Sequence, residues 1–338
     1  MRRSCRDAYN VGWPRARGAC LTLSSGAAPR VPRRPVPSRR DLINSRRRLP
    51  VKRRLLTGLT SAALCCSGLL VAVSAGPGAQ ALTTATATRG RLLRVAPGSP
   101  VPPSRSNTGT LIGSTNWSGY AQTPPTATSY HAVKAKFVVP TVTTGPGNQF
   151  SSDWVGIGGF NTGDLVQDGI EADNLNGTAR YQAWTEILPA SAVPLSLTIK
   201  PGDVIKAIVK ETAANTWLMQ VQDLTTGASA SRTVTYASSH SSAEVIHERP
   251  VICNPGCSLA KLAQTTNPVY DPAAFSTAPP GPPSWHKYFL TPAGATLYDI
   301  AMFNNAQTAV IATPSNADAD LDGFQVADGH TQPPPPPS

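Results

Sequence analysis

Apolar side chains recur at every second position through much of the chain downstream of residue 110. Val133, Ala135, Phe137 and Val139 alternate with polar or small neighbours, and the run ends at Pro140. Leu195, Leu197 and Ile199 alternate in the same way, Pro201-Gly202-Asp203 offers a turn, and Ile205, Ala207 and Val209 resume the period, which predicts a hairpin. Trp217, Met219 and Val221 repeat the pattern before a turn at Thr225-Thr226-Gly227, and Ala309-Val310-Ile311-Ala312 is a further short apolar run. A period of two sends alternate side chains to opposite faces of a strand. No stretch carries a helical period for more than a turn or two. Short strands with regular turn signals over about 220 residues predict an all-β fold, an antiparallel β-sandwich, and no internal repeat points to a propeller.

Charge changes the picture only until it is located. The chain holds 30 Lys+Arg against 19 Asp+Glu, a net charge of +11, which by itself would suggest a nucleic-acid or membrane partner. Residues 1–54 carry 16 of the basic and 2 of the acidic side chains, leaving 14 basic and 17 acidic in the remainder, a charge of −3. The basic character belongs to a leader, so no nucleic-acid partner is expected. Within that leader Arg46, Arg47, Arg48, Lys52, Arg53 and Arg54 precede an apolar run from Leu55 to Ala75, and Ala79-Gln80-Ala81 offers the small-x-small pattern of a signal-peptidase site. Glycines and hydroxyl residues thin the run, which favours a cleaved signal over a membrane anchor. The expected layout is leader plus signal over 1–81, a linker or propeptide over 82–110, one β-sandwich domain over 111–331 and a Pro-rich, solvated tail over 332–338. The expected product is secreted, monomeric and without stable membrane association.

Cysteine usage agrees with export. Four of the six, Cys5, Cys20, Cys65 and Cys66, lie in the leader. Cys253 and Cys257 remain, can pair only with each other inside the mature chain, and are expected to form a disulfide outside the cell. A two-Cys metal site is the competing reading, but no His or Cys pair stands beside it to complete one.

Several chemistries lack their motifs. His131, His240, His247, His286 and His330 show no His-Glu-x-x-His spacing, and there is no Gly-x-Ser-x-Gly elbow. Asp318, Asp320, Asp322 and Gly323 imitate the start of a calcium loop, but Gly329 stands at the twelfth position where a bidentate Glu belongs. That run reads as an acidic surface turn. No metal or cofactor is expected. What remains is a set of polar residues inside apolar strands: Gln167 after Leu165-Val166, Glu186 within Tyr181 to Leu188, and Glu244 and Glu248 within Ala243 to Glu248. Alternation sends Glu244, Ile246 and Glu248 to one face and Val245 and His247 to the other. A carboxylate on an apolar face is costly unless it has a partner or a task. From pattern alone, hydrogen-bonded or solvated sheet residues remain the plainer reading.

Five segments, taken in order, resemble a known family. Thr115-Asn116-Trp117-Ser118-Gly119-Tyr120 is similar to the Asn-Trp-x-Gly opening of the glutamic peptidases, the eqolisins, and Asp153-Trp154-Val155-Gly156-Ile157-Gly158-Gly159 to their Trp-Val-Gly-Ile-Asp-Gly motif. Leu165 to Gly169 resembles the segment bearing the catalytic glutamine, Tyr181 to Pro189 the Tyr-x-Ala-Trp-x-Glu-x-x-Pro motif, and Ala243 to Glu248 the segment whose second glutamate is catalytic, followed five residues on by a Cys matching Cys253. The resemblance implies a concanavalin A-like sandwich with its site on a concave face, and endopeptidase activity on polypeptides in acid. It implies a catalytic pair of Gln167 and Glu248, with Glu186 and Glu171 close by on the substrate side and Trp117, Trp154 and Trp184 shaping the cleft. Gly158 departs from the motif, which has Asp there. Gln182 and Glu171 alter acidic positions, and His247 and Arg249 are unusual flanks for the glutamate. A glycoside hydrolase using Glu186 or Glu244 with Glu248, and a lectin-like binding module, are the rival readings.

Overall fold

A computed structural model describes residues 86–88, 93, 108–125, 129–253 and 256–338. Predicted features of the leader, the signal and its cleavage site, lie outside the described residues. The strands, in chain order, are β1 (Thr86–Thr88), β2 (Thr110–Ser114), β3 (Trp117–Thr123), β4 (Ala132–Val138), β5 (Asn148–Gln149), β6 (Ser152–Gly158) and β7 (Leu165–Leu175). They continue as β8 (Thr178–Ile187), β9 (Val193–Pro194), β10 (Val204–Ala213), β11 (Thr216–Asp223), β12 (Ser229–Thr235), β13 (Ala243–Glu248), β14 (Val251–Cys253) and β15 (Cys257–Leu259). The last are β16 (Val269–Ser276), β17 (His286–Lys287), β18 (Thr296–Phe303), β19 (Val310–Pro314) and β20 (Phe324–Asp328). Among the described residues there is no α-helix, and no helix is long and apolar enough to cross a membrane.

The domain is a β-sandwich, as the two-residue period predicts. One sheet runs β9-β8-β7-β6-β13-β3-β18-β2, antiparallel except where β18 meets β2. The other runs β12-β11-β10-β4-β16. β20 pairs with β16 of the second sheet and with β19, which itself pairs with β18 of the first, joining the two at one side. Between the sheets, Tyr120, Val133, Phe137, Val155, Ile170, Ile205, Trp217, Met219, Val245, Tyr270 and Phe324 form one apolar cluster. Burying such side chains contributes roughly 1.5–3 kcal/mol each, and this layer holds the sheets together.

Three sequence expectations need correction. The predicted hairpin of 195–199 with 205–209 does not form, because β4 and β11 occupy both edges of β10. Leu195, Leu197 and Ile199 are still buried, so their alternation reports packing rather than a strand. The Pro-rich tail is not wholly solvated. Pro333 and Pro336 are buried, one polyproline turn apart, and Gln325 Nε2 donates to the Pro334 carbonyl at 2.7 Å. Finally, part of 82–110 is ordered despite its poor apolar content. β1 adds antiparallel to β14, so backbone pairing does what side-chain burial could not. Cys253 and Cys257 are opposite one another in the β14–β15 hairpin and are joined by the expected disulfide.

Candidate active site

The face of the first sheet turned away from the second sheet carries the predicted site residues in three cross-strand rows. Trp117, Glu248, Ser152, Glu171 and Gln182 form one row across β3, β13, β6, β7 and β8. Gly119, Ile246, Trp154, Gly169 and Trp184 form the next, and Ala121, Glu244, Gly156, Gln167 and Glu186 the third. Two polar rows therefore flank an aromatic one. Trp154 and Trp184 lie on either side of the side-chain-free Gly169, and Trp117 meets Trp154 edge-on with ring centroids 5.0 Å apart. These rings join Phe160, Leu165, Leu188, Ile246 and Ile300 in a second apolar cluster.

Glu248 is held at both carboxylate oxygens. The Trp154 indole N–H donates to Oε2 at 2.8 Å and the Asn116 side-chain amide to Oε1 at 3.2 Å. Hydrogen bonds to the ionised form favour it. Asn116 is in turn fixed by Ser114, whose hydroxyl donates to its Oδ1 at 2.9 Å. Gln167 donates through Nε2 to Glu186 Oε2 at 2.8 Å. This contact orients the amide plane, and a primary amide keeps a second N–H for another acceptor. Glu171 stands across Ser152 from Glu248 and faces Arg180 at 3.8 Å. Gln167 and Glu248 thus share a face but not a row. They lie diagonally across the Trp154 row, two strands and four residues apart, which on a flat sheet is roughly 16 Å between Cα atoms.

Glu244 shares a row with Gln167 across Gly156, is fully buried, and has no hydrogen-bond partner at either oxygen. Burial, opposed by the nearby Ser242 hydroxyl and aided by the Asp164 charge, pushes its carboxyl well above the usual range. Where the motif has Asp, Gly158 adopts φ +89°, a conformation unfavourable to a side chain, and a Cβ there would lie 2.9 Å from Asp164 Oδ2. A carboxylate from the 159–164 loop therefore occupies the space beside this position. Asp164 is itself held by the Ser239 amide at 2.6 Å and the Ser238 hydroxyl at 3.2 Å.

On the opposite face, His247 Nδ1 lies 2.9 Å from Asp153 Oδ1, which also accepts from Tyr270. Burial alone would lower the His247 pKa, but the Asp153 carboxylate, with help from Asp328, raises it. Arg249 turns from the site and donates to the carbonyls of Thr115, Ala260 and Phe303. Gln182 anchors the 195 segment through the Leu195 carbonyl at 2.9 Å. The unusual flanks are thus structural. A cavity of about 400 Å³ lined by Arg249, Lys261, Asn304, Ile311 and Asp328 lies elsewhere, and none of the predicted catalytic residues lines it.

Trp117, Trp154, Trp184, Gln167, Glu186 and Glu248 are all buried in the full chain, whereas an open cleft would expose them. The described part of the upstream segment reaches the same place. The Leu93 amide donates to Asn116 Oδ1 at 2.8 Å, and the Leu93 carbonyl accepts from the Thr115 amide at 2.8 Å. Asn116 therefore contacts both Leu93 and Glu248. It was missed as a site residue, although the Asn-Trp motif contains it, because sequence alone does not reveal what its amide touches. As for metal ligands, His131 Nδ1 and His240 Nε2 lie 2.6 and 2.9 Å from Glu211 Oε2. Two ligands of one zinc ion would stand about 3.3 Å apart, so this is a hydrogen-bonded cluster.

An all-β sandwich with a hydrogen-bonded carboxylate and a glutamate-oriented glutamine flanking an aromatic row defines a class of carboxylate–amide site. The Peptidase A4 family model matches residues 115–320, and the chain belongs to that family. Aspergillopepsin-2 of Aspergillus niger is 30% identical over 141 residues, covering 36% of this chain and 49% of the relative, so the chain spans about half the length of that curated relative. The fold is similar to that of scytalido-glutamic peptidase, solved with a peptide-based transition-state analogue, at 20% identity and a TM-score of 0.51 over 63% of this chain and 98% of that one. It is equally similar to SCP-B, a member of the eqolisin family solved with the tripeptide Ala-Ile-His, at 20% identity and a TM-score of 0.50 over the same shares.

Proposed function

We propose that this chain is an exported endopeptidase that hydrolyses peptide bonds in acid, with Glu248 as general base and Gln167 as oxyanion donor. The observation that carries the reading is the doubly hydrogen-bonded carboxylate of Glu248 on the same face as the Glu186-oriented amide of Gln167. Membership of the Peptidase A4 family and likeness to glutamic peptidases support peptide as the substrate. Glu248, ionised, removes a proton from water, which attacks the scissile carbonyl carbon, and later returns that proton to the leaving amine. The free N–H of Gln167 donates to the oxyanion as it forms. An ordinary Glu titrates near ~4.3 and is a usable base in acid, where a His is already protonated. Gln remains a neutral donor at every pH. The substrate lies over Trp154 and Trp184, between the two polar rows.

The same reading makes the segment ahead of the domain a pro-segment that is removed on acidification. Leu93 bound to Asn116, β1 paired with β14, and the burial of the catalytic residues support this. The test is to hold the purified full chain at pH ~3.5–4, where Glu remains partly ionised, with denatured casein. Casein should be cleaved as the chain shortens from its N-terminal side, and Glu248→Gln should do neither while keeping its fold. Turnover retained by Glu248→Gln would remove the assignment.

A further inference from the structure

The acidic run near the C-terminus takes no part in that chemistry. Asp318, Asp320 and Asp322 lie at two-residue intervals between β19 and β20, where the chain passes from one sheet to the other. Asp318 is only 3% exposed. Its Oδ1 accepts from the Asp322 amide at 3.0 Å, while its Oδ2 is enclosed without a hydrogen-bond partner. Carboxylate oxygens of Asp318, Asp322 and Asp271, the last from β16, all lie within 4.8 Å of one another. The loop closes over them through the Ala273 amide donating to the Asp322 carbonyl at 2.7 Å and the Asp318 amide to the Gly323 carbonyl at 2.9 Å. Only glycine fits at 323, because a Cβ there would sit 2.3 Å from Asp318 Oδ2 and 3.1 Å from the Asp271 side chain.

Charge in this corner is unbalanced. Lys287 Nζ bonds Asp320 Oδ2 at 2.8 Å and reaches Asp322 Oδ2 at 3.4 Å, but has no bond to Asp318 or Asp271. Lys136 is a second cation whose charge acts on Asp271, so four carboxylates share two ammonium groups. Burial, with the Asp318 and Asp320 charges, still raises the Asp271 carboxyl above its usual range, and Asp322 is raised in the same way. A buried carboxylate oxygen without a partner is strongly unfavourable. A hard cation relieves it. Calcium takes oxygen ligands at about 2.3–2.6 Å, so two oxygens on opposite sides of one ion stand up to about 5 Å apart.

We propose that Asp271, Asp318 and Asp322 bind one calcium ion that fastens the 315–323 loop to β16 at the junction of the two sheets. The run lacks the Glu of a contiguous calcium loop at its twelfth position, and Asp271 supplies the missing carboxylate from a distant strand. The site is structural and stands apart from the catalytic face, so its fate does not depend on the peptidase reading.

The full chain, freed of metal with a chelator, is titrated at pH 7 with calcium chloride, and with magnesium chloride as control, by calorimetry and thermal melting. Expected are saturable one-site calcium binding with Kd on the order of 0.1–1 mM and a Tm rise of about 3–6 °C at ten times Kd. Asp318→Asn should weaken binding at least tenfold, yet melt no lower than wild type without calcium, because it removes an uncompensated buried charge. Asp271→Asn is the second variant and should weaken binding likewise. Lys287→Gln should tighten it severalfold by removing the competing ammonium. The proposal is overturned by no saturable calcium binding up to 10 mM (about ten times the weakest Kd expected), by an equal Tm rise with magnesium, or by unchanged affinity in both Asp variants.

Discussion

Strand β13 shows two unlike surfaces within six residues. Toward the second sheet it presents Ala243, Val245 and His247. The two apolar residues join the main core, and the histidine is paired with Asp153, which Tyr270 also contacts. Toward the other side it presents Glu244, Ile246 and Glu248, with one carboxylate unpartnered and the other held by an indole and an amide. On the core face a charge survives because its counter-charge is within hydrogen-bonding distance. On the site face, Glu248 is instead held by neutral donors, the Trp154 indole and the Asn116 amide. The first arrangement matches opposite charges, and the second sets neutral donors around a carboxylate. Asp168, on the core face, departs from this division, since burial raises its carboxyl well above the usual range.

Substitutions can break this comparison. Glu248→Gln should lower kcat by about 10⁴-fold or more, at the upper end for loss of a general base, with little change in Tm. His247→Leu should do the reverse, costing about 3–5 kcal/mol in denaturant melts by leaving the Asp153 charge buried without its imidazole, while the folded fraction keeps its kcat. Loss of kcat without loss of stability in His247→Leu would contradict the division between faces. Gln167→Ala should lower kcat by about 10²–10³-fold, and Glu186→Gln, which disturbs only the orientation of that amide, by less. Trp154→Phe keeps the ring but removes a donor to Glu248, so the acid limb of the pH–rate profile should move up by about one unit.

A further contrast, read from stability rather than from rate, concerns Glu244. Its folded pKa is raised, so above about pH 4.3 the unfolded chain releases this proton while the folded chain retains it. Stability from this group is therefore full in acid and declines as pH rises, by about 1.4 kcal/mol per unit until the folded pKa is passed. His247, also raised, acts in the same direction, with its loss beginning above the usual imidazole range. Glu211 acts oppositely. Burial raises its pKa, but hydrogen bonds from His131, Asn215 and His240 outweigh this and lower it, so its contribution is lost as pH falls. Glu244→Gln should flatten the decline in stability above pH ~4.3, measured as urea midpoints across a pH series. An unchanged slope would mean that Glu244 ionises in the fold.

Much of the sandwich was legible from alternation alone, because a strand buried on one face must place apolar residues at every second position, as Val133 to Phe137 and Ile205 to Val209 do. The same signal failed at 195–199, since alternation reports which side chains are buried and not whether a neighbouring backbone has a free edge to pair with. The catalytic candidates were legible as polar residues inside apolar strands and as family motifs. Asn116 was not identified as a partner of Glu248, nor was Leu93 as a partner of Asn116, because both contacts join segments distant in sequence.

The order of residues by itself determined which side chains share a face, since that depends only on a period of two along each strand. It also located the excess basic charge in the leader and left two cysteines to pair. Only the tertiary structure decided which residues share a row, because strand register is set by long-range pairing. That pairing placed Gln167 opposite Glu186 and in one row with Glu244, set Trp154 beneath Glu248, and brought Asp271 to Asp318. A chain reading cannot supply such contacts, because each depends on how two separately formed strands align.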